Sequence, residues 1–427
     1  MKRIVTFLIM AGGCLMWHAS LYAQHAYSLD ECIGEALRNN VRIKNADNDL
    51  AAAQEARKSA FTNYFPSISA TGGGFIANKG LLQMEMAPGE NLSMVKDGLV
   101  GGVTATLPLF TGGQIVNGNK LAQVNVETNR LLRKQSENEV RLTTEQYFWQ
   151  VVMLKEKLHT LGIVQKQLEQ IHRDVEAAVT AGVTNRNDLL QVQLRKNTTQ
   201  SNCIAVENAL HVSLSLLAQY IGHPADSIDI ALDMDGGLPA RPDELYRSPE
   251  SSLLLTAEYH LLHKAVEANR LQYKIAVGKN LPTVAIGGGY MYENLMDKDH
   301  TFWMGGITVS VPITGWWGGS HDMKRQKLQV RNAENRLADQ SELLCIQMQN
   351  TWNAMNDAYK QVEIAVESIG QASENLRLQT DYYQAGTCTM SDLLEAQTLY
   401  QQSRDKYVES YAQYEVKKRE YLQATGR

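Results

Sequence analysis

Two stretches of the chain share one frame: AGVTNRNDLLQVQ at residues 181–193 and AGTCTMSDLLEAQ at residues 385–397. Each follows a long polar helical pattern, places a glycine (Gly182 or Gly386) after it, and restarts with Asp-Leu-Leu. Glycine suits the left-handed position that ends a helix, and an Asn or Thr three residues before an acid is typical of a capping box. The frame therefore predicts a helix–turn–helix that occurs twice.

Four further segments extend this duplication, because they match in pairs. They are NYFPSISATGGGF (63–75) with KNLPTVAIGGGY (279–290), and VTATLPLFTGG (103–113) with ITVSVPITGWW (307–317). Apolar and polar residues alternate in all four, which is typical of half-buried strands, and each has the length of about ten residues that a tilted transmembrane strand needs. We predict strand hairpins at 66–110 and 282–313, with an insertion in the first.

The remainder of the chain has a helical pattern. Proline is absent from 114–181 and from 320–385, where apolar residues recur every three to four positions. Shorter return helices are predicted at about 186–221 and 390–424. The predicted organisation is a signal peptide at 1–23, a first repeat at 24–222 with its turn at 182–188, a linker or equatorial region at 223–250, and a second repeat at 251–427 with its turn at 386–392.

The N-terminus and the bulk composition indicate an exported protein. Lys2 and Arg3 precede an apolar run that ends near Ala23, as in a secretory signal peptide, with lipid attachment at Cys14 as the alternative. The net charge is −5, and no basic patch points to nucleic acid. Beyond the leader no apolar run is long enough for a membrane-spanning helix, so we expect any membrane-spanning part to consist of strands.

Four strands cannot close a membrane barrel, because about eight is the practical minimum and every strand edge must be satisfied within lipid. The chain must therefore combine its strands with those of other copies. Two copies supply eight strands, whose interior side chains nearly fill the barrel, whereas three supply twelve and leave room for an aqueous pore.

The ordered set of features resembles the TolC family of outer-membrane efflux proteins. It comprises the duplicated hairpins, the opening helix SLDECIGEALRNN, and the two turns. The resemblance implies a mainly α, mixed α and β fold: a homotrimer whose four strands per chain form a 12-stranded transmembrane barrel, continued by a long α-helical coiled-coil barrel in the periplasm. It also implies a periplasmic adaptor (membrane fusion protein) and an inner-membrane pump as partners.

The second turn has two interpretations. Local chemistry alone makes Asp392 a capping acid and places Glu395 where it favours the helix dipole. The resemblance implies that Asp392 and Glu395 are the acidic ring of a closed entrance, with six carboxylates in a trimer. The first turn carries Gln191 in place of the second acid.

The resemblance also implies a latch that links the two helix pairs. Its Asp and Tyr correspond to Asp188 and Tyr383, whereas Cys388 occupies the position of the family's Arg. We therefore expect a weaker latch, without a salt bridge. The turn residues Gly182, Gly386 and Thr387 are expected to contact the adaptor.

No catalytic group, cofactor site or metal site is predicted. His260 and His263 lie one helical turn apart, but no third ligand is evident, so they are interpreted as surface histidines. TGGGF and IGGGY lack the Lys and Ser/Thr of a phosphate loop, and no nucleophile–base pair is present. We therefore predict that the protein is not an enzyme.

The sequence favours an outer-membrane exit duct of a tripartite efflux system that exports small molecules, with its helical barrel in the periplasm. The outer-membrane component of a type I protein secretion system is the alternative with the same architecture. A periplasmic coiled-coil scaffold without a pore is a third possibility, against which the strand hairpins argue.

Overall fold

The structure is a computed structural model that describes residues 25–87, 90–224, 228–231, 237–295, 298–313 and 315–427. The predicted signal peptide and Cys14 lie outside the described residues. Among those residues, no helix combines the length and the apolar character needed to cross a membrane.

The chain forms two compact units. The first contains the residues up to Lys44 together with Ser136–Leu255 and Leu344–Arg427, and the second contains Asn45–Gln135 and Thr256–Leu343. Each unit draws on both halves of the sequence. The division into two sequence repeats stays a prediction.

The chain is mainly helical. The helices are α1 (Leu29–Asn39), α2 (Val41–Thr62), α3 (Gln114–Thr180), α4 (Arg186–Ile221), α5 (Pro249–Leu253), α6 (Ala257–Gly278), α7 (Gly315–Gln384) and α8 (Met390–Ala424). The long α3 and α7 contain no proline, and the isolated Gly162 and Gly370 within them do not interrupt the helix. Helix α1 begins at a complete capping box between Ser28 and Glu31.

Four strands of the second unit form one antiparallel sheet. They are β2 (Ser67–Ile76), β5 (Asp97–Phe110), β7 (Thr283–Leu295) and β8 (Lys298–Ser310), in the order β2-β5-β7-β8. Two additional pairs were not predicted: β1 (His25–Tyr27) runs parallel to β6 (Ile228–Ile230), and β3 (Leu82–Ala87) pairs with β4 (Glu90–Met94). The β3–β4 hairpin lies in the predicted insertion.

At the end of the four-stranded sheet nearest the helices, the register separates an apolar face from a hydroxyl-rich one. One cross-strand row joins Ala70, Val103, Tyr290 and Trp303. Side chains on this face include Ile68, Val103, Leu107, Ile286, Tyr290, Trp303 and Ile307. Hydroxyl side chains occupy the opposite face near the start of β2 and the end of β8; they include Ser67, Ser69, Thr104, Thr106, Thr283 and Ser310. Trp303 is 80% exposed, so the apolar face is uncovered in the single chain.

A ladder of tyrosines organises the core of the first unit. Tyr407, Tyr414 and Tyr421 recur every seven residues along α8 and are almost completely buried. Tyr407 Oη donates to Gly237 O at 2.9 Å, and Tyr414 Oη donates to Ala240 O at 2.6 Å. Tyr421 Oη accepts from the backbone N–H of Arg247 at 2.8 Å. Because a buried phenol needs a hydrogen-bond partner, these bonds hold the irregular segment 237–247 against α8.

Candidate functional site: the paired helix turns

The first turn, between α3 and α4, is a Schellman motif centred on Gly182. Gly182 has φ +71° and donates its N–H to Val179 O at 3.0 Å, while Val183 donates to Ala178 O at 2.9 Å. Both bonds satisfy carbonyls that the end of a helix leaves free. A Cβ at Gly182 would meet no atom within 4 Å, so the backbone conformation and not crowding requires glycine.

The second turn, between α7 and α8, has the same geometry. Gly386 has φ +72° and donates to Tyr383 O at 3.0 Å, and Thr387 donates its N–H to Tyr382 O at 2.9 Å. The Thr387 hydroxyl adds a bond to the same Tyr382 carbonyl at 3.0 Å. The shared frame of the two sequences therefore corresponds to one backbone motif used twice.

The two helices that follow the turns are capped differently. At α4, the Asn185 side chain accepts from Asp188 N at 3.1 Å, but the Asp188 carboxylate accepts from the Thr184 hydroxyl instead of returning to the cap backbone. The predicted capping box at this turn is therefore only half formed. The reason is that Thr184, one helical turn before Asp188, offers the carboxylate a hydroxyl donor.

At α8 the capping box is complete. Thr389 Oγ1 accepts from Asp392 N at 3.2 Å, and the Asp392 carboxylate accepts from Thr389 N at 2.9 Å and from its hydroxyl at 2.6 Å. Hydrogen bonds to a carboxylate favour its charged form, so they lower the pKa of Asp392. The helix end thus keeps a negative charge at its first turn.

Asp392 and Glu395 are exposed on α8, whereas Leu393 and Ala396 beside them are buried. A separation of three residues places the two carboxylates on one helix face. The structure therefore brings both predicted gate acids together on the surface of a single chain. Their arrangement as a ring between copies stays a prediction.

The predicted latch residues line one cavity. A cavity of about 550 Å³ lies between the two turns, and Asp188, Tyr383 and Cys388 are among its lining residues. Burial, followed by the negative charge of Asp188, raises the pKa of Tyr383. Among the described contacts, no hydrogen bond joins Asp188 to Tyr383, so the two residues share one cavity without a direct bond. Cys388 Sγ donates to Gln379 O at 3.5 Å.

Amide cross-links between the helices were not foreseen from the sequence. Ser391 Oγ donates to Gln191 Oε1 at 3.2 Å, Gln397 Nε2 donates to Gln167 Oε1 at 3.2 Å, and Arg195 Nη2 donates to Gln401 Oε1 at 3.0 Å. Gln397 is only 1% exposed although it lies in a polar helix. The helical period of 3.6 residues places Gln397 on the inward face of α8, and this position could have indicated a buried amide contact.

A small apolar cluster fixes the helices beneath the turns. Val175, Val192, Met390 and Leu393 are almost completely buried, and the Tyr383 ring packs against them. They come from α3, α4 and α8, so the two turns share one core within the first unit. At about 1.5–3 kcal/mol for each fully buried aliphatic side chain, this cluster outweighs any single surface hydrogen bond at the turns.

The family model described as outer membrane efflux protein matches residues 32–223 and 262–427. The chain belongs to the outer membrane efflux protein family. The match includes both turns and all four strands of the large sheet. The family is one of channel and transport proteins.

Individual relatives are distant in sequence and similar in fold. The proteases secretion protein PrtF of Dickeya chrysanthemi is 18% identical over 386 residues, which cover 88% of this chain and 82% of PrtF. The outer-membrane channel OprN superimposes with a TM-score of 0.80 at 15% identity, covering 93% of this chain and 89% of OprN. The outer membrane protein VceC of Vibrio cholerae superimposes with a TM-score of 0.78 at 14% identity, covering 93% of this chain and 96% of VceC. The mainly helical architecture with few strands is therefore that of solved outer-membrane channels.

Proposed function

We propose that the protein is the outer-membrane exit duct of a tripartite efflux system and exports small molecules. The observation that carries this proposal is the four-stranded sheet. Its outer strands β2 and β8 each pair on one side only among the described strands, and its apolar face is exposed. Unpaired strand edges and an exposed apolar face both cost free energy in water. When copies combine their strands in lipid, the edges pair with each other and the apolar face contacts the acyl chains.

Three copies would give a barrel of twelve strands with a water-filled interior, whereas two would give a nearly filled one. The hydroxyl-rich face of the sheet suits a wet lumen, and the face that carries Trp303 and Tyr290 suits lipid. We assign the protein to the cell outer membrane as a homotrimer, with its helices continuing as a coiled-coil barrel in the periplasm. The two sequence repeats, 24–222 and 251–427, each contribute one hairpin and one helix pair.

The paired turns are the entrance in this proposal. Asp392 and Glu395 of three copies form an acidic ring, because both project from the exposed face of α8. Asp188 and Tyr383 act as the latch between the helix pairs. Gly182, Gly386 and Thr387 contact the adaptor, and the neighbouring Val183, which is 81% exposed, supplies apolar surface for that contact.

The partners are a periplasmic adaptor and an inner-membrane pump. The similarity to PrtF, a protein named for the secretion of proteases, favours a second candidate: the outer-membrane component of a type I protein secretion system. Deletion of the gene distinguishes the two. Loss of resistance to toxic small molecules, with secreted proteins unchanged, supports the efflux function, and the reverse phenotype supports protein secretion.

The architecture is tested by membrane fractionation and native mass spectrometry of the detergent-extracted protein. We expect the protein in the outer-membrane fraction, and we expect the extracted particle to have about three times the mass of one mature chain. A folded monomer in the soluble periplasmic fraction would instead identify a scaffold without a pore.

A further inference from the structure

A cationic cavity of about 720 Å³ lies between α2 and α3 in the second unit. Its lining includes four basic residues, Arg57, Lys58, Lys120 and Arg130, and two aromatic residues, Phe61 and Tyr64. No part of the channel function described above uses it. We call it the α2–α3 cavity.

Most of the basic residues of this cavity form no salt bridge within the described part of the chain. None of its lining residues is acidic. Lys58 pairs with Glu55 at 2.8 Å, but both side chains are more than 70% exposed, so the pair contributes little. In the same described residues, Arg57 and Lys120 form no salt bridge. Arg130 forms none either, but its charge interacts with the nearby carboxylate of Glu127. Like charges that face one space repel each other, and an anion bound between them removes that cost.

The position of the cavity distinguishes between possible anions. Helix α2 ends at Thr62, shortly before β2 begins at Ser67, and α3 begins at Gln114, shortly after β5 ends at Phe110. The cavity therefore opens next to the strand ends of the sheet. If the sheet lies in the outer membrane, as proposed above, this is the level of the lipid phosphates.

Aromatic rings mark the end of the cavity that is nearest the sheet. The Phe61 ring stacks edge-on against Tyr64, with centroids 5.5 Å apart, and against Phe65 at 5.6 Å. Phe61 and Phe65 are each 54% exposed. Exposed aromatic rings beside basic side chains are typical of the membrane–water interface. A small inorganic anion has no apolar atoms that could pack on the aromatic rings. The glycerol and first acyl carbons of a lipid would pack on them.

We propose that the α2–α3 cavity binds the phosphate headgroup of an anionic glycerophospholipid in the periplasmic leaflet. This inference rests on the proposed outer-membrane location. Arg57 provides a planar fork that fits two phosphate oxygens, and Lys58 and Lys120 provide point charges. The cavity volume lies within the range of about 300–1,000 Å³ that is usual for small-molecule sites. A lipid held here would fix the helices at the junction with the sheet.

The test is a lipid titration of the full-length, detergent-extracted protein followed by native mass spectrometry. The probes are phosphatidylglycerol, zwitterionic phosphatidylethanolamine and inorganic phosphate. We expect selective retention of phosphatidylglycerol. The double variant Arg57→Gln/Lys120→Gln should bind phosphatidylglycerol roughly thirty-fold more weakly. Each of the two basic residues is expected to contribute roughly five-fold to the affinity for an anionic headgroup.

The matched control is Lys44→Gln/Lys134→Gln. It removes two exposed positive charges from the same two helices but outside the cavity, and it should bind the lipid like the unmodified protein. The variant Arg57→Lys/Lys120→Arg keeps the charge and should retain binding, which separates loss of the site from a failure to fold. Equal losses in the cavity variant and in the control would overturn the proposal.

The remaining outcomes are also decisive. Equal retention of phosphatidylethanolamine would show non-selective lipid contact, and competition by inorganic phosphate would show a small-anion site; either result overturns the lipid assignment. Cross-links from Lys58 or Lys120 to a neighbouring copy would show that protein covers the cavity, which also overturns it. A protein absent from the outer membrane contradicts the proposed function itself, whereas an outer-membrane protein without selective binding contradicts only this inference.

Discussion

The turn at Gly182 and the turn at Gly386 have the same backbone and different side-chain chemistry. Both are Schellman motifs with a glycine near φ +70°, and both are followed at once by an N-capped helix. The first is capped by Asn185 with half a capping box, and the second by Thr389 with a complete one. Only the second continues into an exposed pair of acids.

This difference separates what the fold requires from what the function adds. A helix that ends and restarts must satisfy its free carbonyl and N–H groups, and both turns do so with the same local bonds. A second acid at Glu395 satisfies no helix end, and the first turn has Gln191 at the equivalent position, which accepts a hydrogen bond from Ser391. Asp392 and Glu395 are therefore the residues of the two turns for which we predict an effect on ion passage.

The largest effect is expected on ion selectivity. Asp392→Asn/Glu395→Gln keeps the size of both side chains and part of the capping capacity, so it removes mainly charge. In a planar bilayer, the unmodified protein should show low conductance and a preference for cations. The double variant should lose most of that preference and much of its block by divalent cations.

The matched control for charge is Glu169→Gln/Glu176→Gln, which removes two exposed carboxylates from the first helix pair and leaves the proposed latch unchanged. Its cation preference should remain. If the selectivity of the Asp392/Glu395 variant is unchanged while pores still form, the acids act only at the helix end and the ring assignment is wrong.

The second effect concerns the latch and should appear in conductance, not in selectivity. Asp188→Ala removes the acceptor of the Thr184 bond and a side chain that lines the cavity shared with Tyr383, so the two helix pairs should separate more readily. Single-channel conductance should rise, with the cation preference nearly unchanged. Tyr383→Phe should act in the same direction and more weakly, since no direct bond to Asp188 is lost. A lower conductance in either variant would contradict the latch.

The third effect tests whether the two backbones are equivalent. Gly182→Ala and Gly386→Ala each force a Cβ into the left-handed region, at a cost of about 1–2 kcal/mol. The space around both glycines is open, so the cost should be the same at each turn. Amide hydrogen exchange at Val183 and Thr387 should speed up by a factor of roughly 5–30. A clearly unequal response would show that one turn is supported by contacts that the other lacks.

The sequence predicts those features that local physical chemistry determines. The two glycines follow from the need for a positive φ. The faces of the strands follow from alternation, since Ile68 and Val103 on one side and Ser69 and Thr104 on the other agree with the observed register. Apolar spacing and the absence of proline likewise indicate the long helices.

Features that depend on distant residues were not predictable. The pairing of β5 with β7 joins the two halves of the chain, and the three-residue strands β1 and β6 are too short to show a periodicity. The partners of Tyr407 and Tyr414 lie in an irregular segment far along the chain. At the first turn, Thr184 and Asn185 compete for Asp188 over similar distances, so spacing alone could not identify the partner. The proposed acidic ring and the proposed adaptor contact involve other chains.

The fourth effect concerns the caps. Thr389→Ala should cost about 1 kcal/mol at the start of α8. Asn185→Ala should cost less at the start of α4, because it removes one hydrogen bond where Thr389→Ala disrupts a complete box. Hydrogen exchange of the first turn of each helix measures both. Thr389→Ser is the control that keeps the hydroxyl, and it should restore most of the protection.

The smallest effect is the pH dependence of the second cap. The carboxylate of Asp392 accepts hydrogen bonds from Thr389, which lower its pKa from the ordinary value of 3.8. A group whose pKa is lowered on folding stabilises the structure above that ordinary value, and the contribution is lost as the pH falls through the lowered pKa. Protection at the start of α8, corrected for intrinsic exchange, should therefore persist at pH 5 and decrease only below pH 3.8. The Asp392→Asn variant should show no such step. Loss of protection that begins well above pH 3.8 in the trimer would mean that repulsion between copies outweighs the cap, which would favour the acidic ring over a purely local role.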